Sequence, residues 1–369
     1  MSTAIATGLS YGTHPIIEHA ARAVRIALEK ADITQAECVL LFMTPEFSDD
    51  AEAAVRLAAR TAGCLQVSGC IGYGILTDHD WILDSPGIAA MVFGKGAVIS
   101  PRTSDTAKAF LSFGTPQDFD PNWLHDEAPH IGAIASDPLG QGNYKHWQGA
   151  RIKENNCVEL AINSTEAGFA VAQSFKTLTK PRVIAVAEGL DVVSIEDSPA
   201  LDVLLNALPP SMKKSELPLH LLLGGVTFGQ TDNAINEGRF HLDHIISTNP
   251  ESHSITLTSE LQPGEHLFLA IRDTYAAELG MKQAIDSATK KLRDKPDFGF
   301  MFPCLGRGPS FYGGCDRDIE ILRETNPGMP FIGFYGNGEI GPLKNGNYTY
   351  QYSTSLGLFK INNSQGTSD

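Results

Sequence analysis

The sequence predicts an α/β or α+β protein made of two related lobes from an internal duplication, with mixed β-sheets flanked by helices. Three observations point there. Short apolar runs alternate with stretches of helical periodicity. Glycine-rich turns separate them, drawn from 35 glycines in 369 residues. The pattern of the first third also returns, in order, near the C-terminus.

The elements follow one another plainly. Pro15 to Leu28 carries apolar residues at helical spacing, and Pro15 suits a first helical turn. Cys38 to Met43 reads as a buried strand. Asp49 to Ala62 reads as a second helix with acids at its start, where the helix dipole favours them. Leu65 to Ser68 and Ile88 to Phe93 read as further strands. The echoes then run in sequence. Phe42-Met43-Thr44-Pro45 returns as Phe300-Met301-Phe302-Pro303. Gly69-Cys70-Ile71-Gly72-Tyr73-Gly74 returns as Gly333-Phe334-Tyr335-Gly336-Asn337-Gly338, both of the form G-x-x-G-x-G. Ile88 to Phe93 returns in the run ending Leu356-Gly357-Leu358-Phe359, and the helix Pro15 to Glu29 returns as Leu279 to Leu292. The middle is different. Arg239 to Ile246 and Ser254 to Thr258 alternate at period two, and Leu267 to Arg272 follows a Pro263-Gly264 turn, which reads as an antiparallel sheet. The polar tail from Asn362 reads as frayed. The division expected is an N-terminal region, 1–155, and a C-terminal region, 156–369.

Composition excludes several function classes. The chain has 28 Lys and Arg against 43 Asp and Glu, a net charge of −15. Nucleic acid is therefore not an expected partner, since phosphate binding needs a positive face. No run of about 18 apolar residues offers a membrane span, and the first residues lack the pattern of a secretory leader. A cytoplasmic location is expected. Cys38, Cys64, Cys70, Cys157, Cys304 and Cys315 are scattered, form no CxxC pair, and read as reduced thiols.

Each chemical motif has a plain structural reading beside it. Gly8-Leu9-Ser10-Tyr11-Gly12 matches a nucleophile elbow but reads better as a strand-to-helix turn. His241, Asp243 and His244 lie on a strand with spacing poor for one metal, and Asp78-His79-Asp80 lies on a loop. No metal or cofactor is expected. The glycine turns lack a Walker lysine and a dinucleotide-binding acid. Gly72, Gly74, Gly336 and Gly338 are expected to supply turn geometry and to leave N–H groups open to an anion. Pro303-Cys304-Leu305-Gly306-Arg307-Gly308 follows a buried strand. Arg307 offers a planar fork to a carboxylate. Cys304 reads as a pocket wall rather than a nucleophile, for want of an adjacent histidine base. Glu339, between glycines in an apolar stretch, either pairs with Arg307 or meets a ligand cation; a solvent-facing turn is its plain alternative.

At these residues the sequence resembles the FIST family of sensory modules. The resemblance rests on Phe302-Pro303-Cys304-Leu305-Gly306-Arg307-Gly308 and on Pro330 to Pro342, which contains Gly336-Asn337-Gly338-Glu339-Ile340-Gly341-Pro342. Arg272-Asp273, Val67 to Gly74 and, more loosely, His130 to Ala135 also fit. One departure is Ser174 to Pro181, which stands where the family has a Gly-Cys-x-Pro-x-Gly turn. The resemblance implies a sensory protein binding a small ligand, an amino acid or related small carboxylate, in a cleft between the lobes, with a signalling protein as a further partner. The residues expected at the ligand are Arg307, Glu339, Cys304, Gly306, Gly336, Gly338, Cys70, Gly72, Gly74 and Arg272. Arg307 and Glu339 are expected to face one cavity, with Cys304 and Cys70 on its wall. The rival reading is a Cys-dependent hydrolase or transferase using Cys304 or Cys70.

Overall fold

A computed structural model describes residues 4–362, apart from 97, 104–106, 118, 120, 137–143, 154–156, 164, 214–215, 230, 232 and 344–345. The tail beyond Asn362 lies outside the described residues. Two compact units make up the chain. The first comprises Met1–Gln173 and Gly280–Asp369, and the second is Ser174–Leu279, inserted within it.

The first unit begins with β1 (Ile5–Tyr11), α1 (Glu18–Lys30), β2 (Cys38–Met43), α2 (Ala51–Ala62), β3 (Val67–Ile71), the hairpin β4 (Gly74–Thr77) and β5 (Trp81–Leu83), and β6 (Gly87–Phe93). The α1 helix starts at Glu18, so Pro15 lies before the first turn rather than in it. Next come β7 (Ile99–Pro101), β8 (Ala109–Gly114), β9 (His130–Ala135), the hairpin β10 (His146–Gln148) and β11 (Arg151–Ile152), β12 (Cys157–Ile162) and β13 (Thr165–Gln173).

The inserted unit contains β14 (Phe175–Thr177), β15 (Arg182–Glu188), β16 (Asp191–Ile195), β17 (Ser198–Pro199), α3 (Ala200–Ala207), β18 (Leu222–Thr227), β19 (Phe240–Asn249), β20 (Ser254–Leu257) and β21 (His266–Arg272). All its pairings are antiparallel, and β18 joins β21 so that six strands close on themselves. Its core is aliphatic, centred on Leu204, Leu222, Ile245 and Leu269. This is the antiparallel sheet expected from the period-two alternation.

The chain then returns to the first unit through α4 (Thr274–Thr289), β22 (Phe298–Pro303), α5 (Pro309–Tyr312), α6 (Arg317–Thr325), β23 (Phe331–Phe334), β24 (Gly336–Leu343), β25 (Gly346–Tyr350) and β26 (Ser353–Ile361). The duplication is plain in the pairing. In the first repeat β1 and β2 both run antiparallel to β6, and β2 runs parallel to β3. In the second, β13 and β22 both run antiparallel to β26, and β22 runs parallel to β23. The inserted unit occupies the β13-to-α4 connection, where the first repeat has only the short β1-to-α1 turn. The repeats are interlocked, because β4 of the first pairs with β23 of the second.

Continuous apolar strands follow from burial of both sheet faces. Val39, Leu41 and Met43 pack under α1 and α2. Leu40 and Phe42 point the other way, into a core shared with Phe298, Phe300, Phe302 and Phe334. Phe42 meets Phe334 with ring centroids 5.2 Å apart, and Phe93 meets Phe298 edge-on at 5.5 Å. Among the described residues no helix is long and apolar enough to cross a membrane.

Two glycine positions are shared by the repeats for a steric reason. A Cβ on Gly69 would stand 1.7 Å from the Leu41 carbonyl oxygen, and one on Gly333 would stand 1.7 Å from that of Met301. Gly8 and Gly168 likewise lie against helix carbonyls, of Ala23 and Ala288. These contacts align Leu41 with Met301, so the Phe42-Met43/Phe300-Met301 echo names the right strand two residues out of register. Gly69→Ala and Gly333→Ala should each cost about 3 kcal/mol, since neither carbonyl can withdraw without breaking its sheet. Chemical denaturation checks this; wild-type stability in either variant would refute the steric account.

Candidate functional site

The strands β13, β22 and β23 point the same way, and their carboxyl ends meet the start of β26. Polar side chains gather there. After β22, Cys304 donates its backbone N–H to the Ser353 carbonyl at 2.8 Å, and residues Leu305–Arg307 make one 3-10 turn. Asp316 then caps α6 by accepting from the Ile319 N–H at 3.0 Å.

Arg307 is wholly buried. Its Nε donates to Asp318 Oδ2 at 2.6 Å, its Nη2 to Oδ1 at 3.0 Å, and its Nη1 to the Ala172 carbonyl at 3.1 Å. Asp318 also accepts from Tyr312 Oη at 2.8 Å and Thr354 Oγ1 at 2.7 Å. Burial acts to lower the guanidinium pKa, but the bidentate Asp318 outweighs it and raises that pKa. Tyr335 donates to Asp316 Oδ2 at 2.5 Å. Burial, and then the Asp318 charge, push Asp316 upward. The expected Arg307–Glu339 pair is therefore not formed; Asp318, two turns of chain away, takes the fork instead.

Glu339 lies beside this network with separate partners. Ser353 donates to its Oε2 through Oγ at 2.8 Å and N–H at 3.4 Å, and the Gly338 N–H donates to Oε1 at 3.3 Å. The Cys304 thiol also bonds the carboxyl. None of these partners carries charge. Burial dominates and raises the Glu339 pKa to about 8. Glu339 is not the solvent-facing turn acid of the plain reading. Gln173 pairs across β13–β26 with Ser353, which places both side chains on one sheet face. Its Oε1 is buried without a hydrogen-bond partner. Two acceptors thus lie on one face with no cation among their partners.

The glycine expectation holds in part. Gly338 has φ +118°, which favours glycine. Gly72, Gly74 and Gly336 are not positive-φ turns. They are glycines because Phe334, Leu83 with Tyr335, and Ala133 stand where a Cβ would go. Gly74 thus borders the tyrosine that holds Asp316, and Gly72 borders its neighbour Phe334. Gly306 lies in the 3-10 turn. Cys304 meets Glu339, whereas Cys70 is buried within β3 opposite Phe42 and His146. Burial pushes the Cys70 thiol well above its usual range, the opposite of nucleophile activation. Arg272 belongs to the inserted unit, where Nη1 donates to the His220 carbonyl at 3.4 Å.

Sequence reasoning missed Asp318, Ser353, Thr354, Tyr335 and Gln173. The capping acid Asp316 ahead of Ile319 is a legible signal for the α6 turn that carries Asp318; Ser353, Thr354 and Gln173 are ordinary strand residues, and Tyr335 lies between β23 and β24. The repeat register shows their origin. Thr44 donates its N–H to the Gly87 carbonyl as Cys304 does to Ser353. Phe47, in the same 3-10 turn of the first repeat, is a core residue where the second has Arg307.

A second polar cluster surrounds β8 and β9. His130 Nδ1 bonds Ser112 Oγ at 2.7 Å, and its Nε2 bonds Asp126 Oδ2 at 2.9 Å. Ser112 and His130 are both fully buried, so this chain of bonds offers no substrate access. Asp126, His130 and Glu159 converge in a way that suits a metal ion. However, Arg102 already bonds Asp126 at 2.9 Å and Glu159 at 2.5 Å, supplying the positive charge.

Two outcomes are expected. Asp318→Asn strands a buried guanidinium and should destabilise the protein by about 3–5 kcal/mol. Arg307→Met with Asp318→Leu should recover much of that loss in the same urea titration. The raised Glu339 pKa means the folded state binds more protons than the unfolded state between pH 4.5 and about 8. Stability should therefore fall as pH rises through that window. Glu339→Gln should remove that part of the slope; an unchanged pH profile would contradict the assignment.

Comparison with known proteins agrees with the geometry. The FIST N domain matches residues 37–198 and the FIST C domain matches residues 200–342. An uncharacterized protein of Mycobacterium tuberculosis strain H37Rv is 23% identical over 384 residues, covering 95% of this chain and 99% of that protein. Another, from strain CDC 1551, is 24% identical over 318 residues, covering 79% of this chain and 82% of its own. Human F-box only protein 22 is 36% identical over 72 residues, 19% of this chain and 17% of that protein. FIST domains are sensory, signal-transduction domains. With both domains spanning most of its length, the chain belongs to the FIST family.

Proposed function

We propose that this protein senses an amino acid or related small carboxylate bearing an ammonium group, at the carboxyl ends of β13, β22 and β23. The observation that carries this reading is Glu339. Its carboxyl is fully buried with only uncharged partners, one of them Ser353, whose cross-strand neighbour Gln173 has an unpartnered Oε1. A buried acid in this state is costly, and a ligand ammonium supplies the missing countercharge. Arg307 is engaged by Asp318, so in this reading it holds the turn that carries Cys304 and Gly306 rather than reaching the ligand. Cys304, Gly336 and Gly338 wall the site. Binding would convert a protonated Glu339 to its charged form and release a proton.

A thermal-shift screen of the common amino acids, with their deaminated carboxylates as controls, tests this. An amino acid at 100 times its dissociation constant adds about 2.7 kcal/mol of stability. Calorimetry in buffers of different ionisation enthalpy should then show proton release below pH 8. Glu339→Gln should abolish binding while keeping the fold. Equal binding of the deaminated compounds, or full affinity in Glu339→Gln, would refute the reading.

A further inference from the structure

A groove in the first unit lies between α2 and the hairpin β10–β11. Its volume is about 1100 Å³. The hairpin closes through Gly149 and Ala150, both with positive φ, and the Ala150 N–H is tied to the Val67 carbonyl at 3.0 Å. β11 is the last strand of its sheet, and both its residues, Arg151 and Ile152, line the groove.

Charge distinguishes the groove from the rest of the molecule. Among the described residues Arg56, Arg60, Arg151 and Lys153 line it, with Glu52 as the acid, in a chain of net charge −15. Arg56 and Glu52 form an exposed pair at 2.5 Å. Among the described residues Arg60, Arg151 and Lys153 have no acidic partner. Leu65, 73% exposed, and the half-buried Ile152 add apolar surface between these cations. A small molecule is poorly enclosed by so wide a groove. An extended chain fits it better, because a sheet edge offers backbone groups and the alternating side chains meet cations and apolar surface in turn.

We infer that this groove docks an extended acidic peptide segment of a partner protein, which adds a strand to β11 and sets carboxylates against Arg60, Arg151 and Lys153. The sensory role of the family makes a protein partner apt, yet the inference stands on this groove and does not need the Glu339 site. A docking strand here would feel the position of α2, which packs on β2 and β3.

The test is fluorescence anisotropy of a labelled octapeptide alternating Glu and Val, titrated with the full chain. Binding is expected in the micromolar range, weakening at least tenfold between 50 and 200 mM salt as screening over about 10 Å sets in. A Lys–Val octapeptide should not bind. Arg60→Glu with Lys153→Glu should reduce affinity at least tenfold, with the fold checked by circular dichroism. N-methylation of alternate peptide amides should do the same, because it blocks strand addition. Glu339→Gln should leave peptide binding unchanged, which separates this inference from the ligand site. No binding at millimolar peptide, equal binding after N-methylation, or displacement by inorganic phosphate at equal concentration would overturn it.

Discussion

The buried Arg307–Asp318 pair is the interaction on which the candidate site depends. It ties together the end of β13 through the Ala172 carbonyl, the start of β26 through Thr354, and α5 through Tyr312. A buried ion pair is a weak source of net stability. Its strength lies in geometry, since a bidentate fork on Asp318 with a third bond to the Ala172 carbonyl restricts the arrangement of the strand ends. The turn carrying Cys304 is held by that arrangement. Glu339, one strand over, is left with uncharged neighbours.

Duplication explains why the polar groups stand in one repeat only. Both repeats need glycine where parallel strands approach closely, and both end their second strand with a 3-10 turn. In the first repeat that turn buries Phe47 in an apolar core. In the second it buries Arg307, and the surrounding positions carry a tyrosine, a serine and a threonine that satisfy the charges. The shared scaffold needs no charge at this point. The second repeat has accepted the cost of burying several, which is the pattern expected where a fold has been adapted to recognition.

The Ser112–His130–Asp126 chain shows why residue identity alone is a poor guide to chemistry. Its bond lengths suit a catalytic triad, yet burial lowers the His130 pKa and seals Ser112 from solvent. With its imidazole stacked on Trp123 and tilted against Phe110, and its backbone N–H donating to Asn347 Oδ1, His130 acts as a hub for β8, β9 and β25. Polar groups in such a hub specify one packing because each has a partner.

The sequence by itself determined much of the strand and helix order, the duplication and the antiparallel character of the middle segment, and it singled out Cys304, Arg307 and Glu339, all of which are buried. These are local signals: period, turn chemistry, and charges misplaced in apolar runs. Only the tertiary structure decided what those charges meet. Arg307 and Glu339 looked like natural partners because each needed an opposite charge, and nothing local indicated that Asp318 would be delivered to the guanidinium by the cap of α6. The interlocking of β4 with β23, and the insertion of a closed antiparallel unit between β13 and α4, were likewise hidden. Strand pairing between distant segments depends on which edges and faces remain uncovered after the local elements form, and a one-dimensional pattern records the faces of each strand but not the neighbour that covers them.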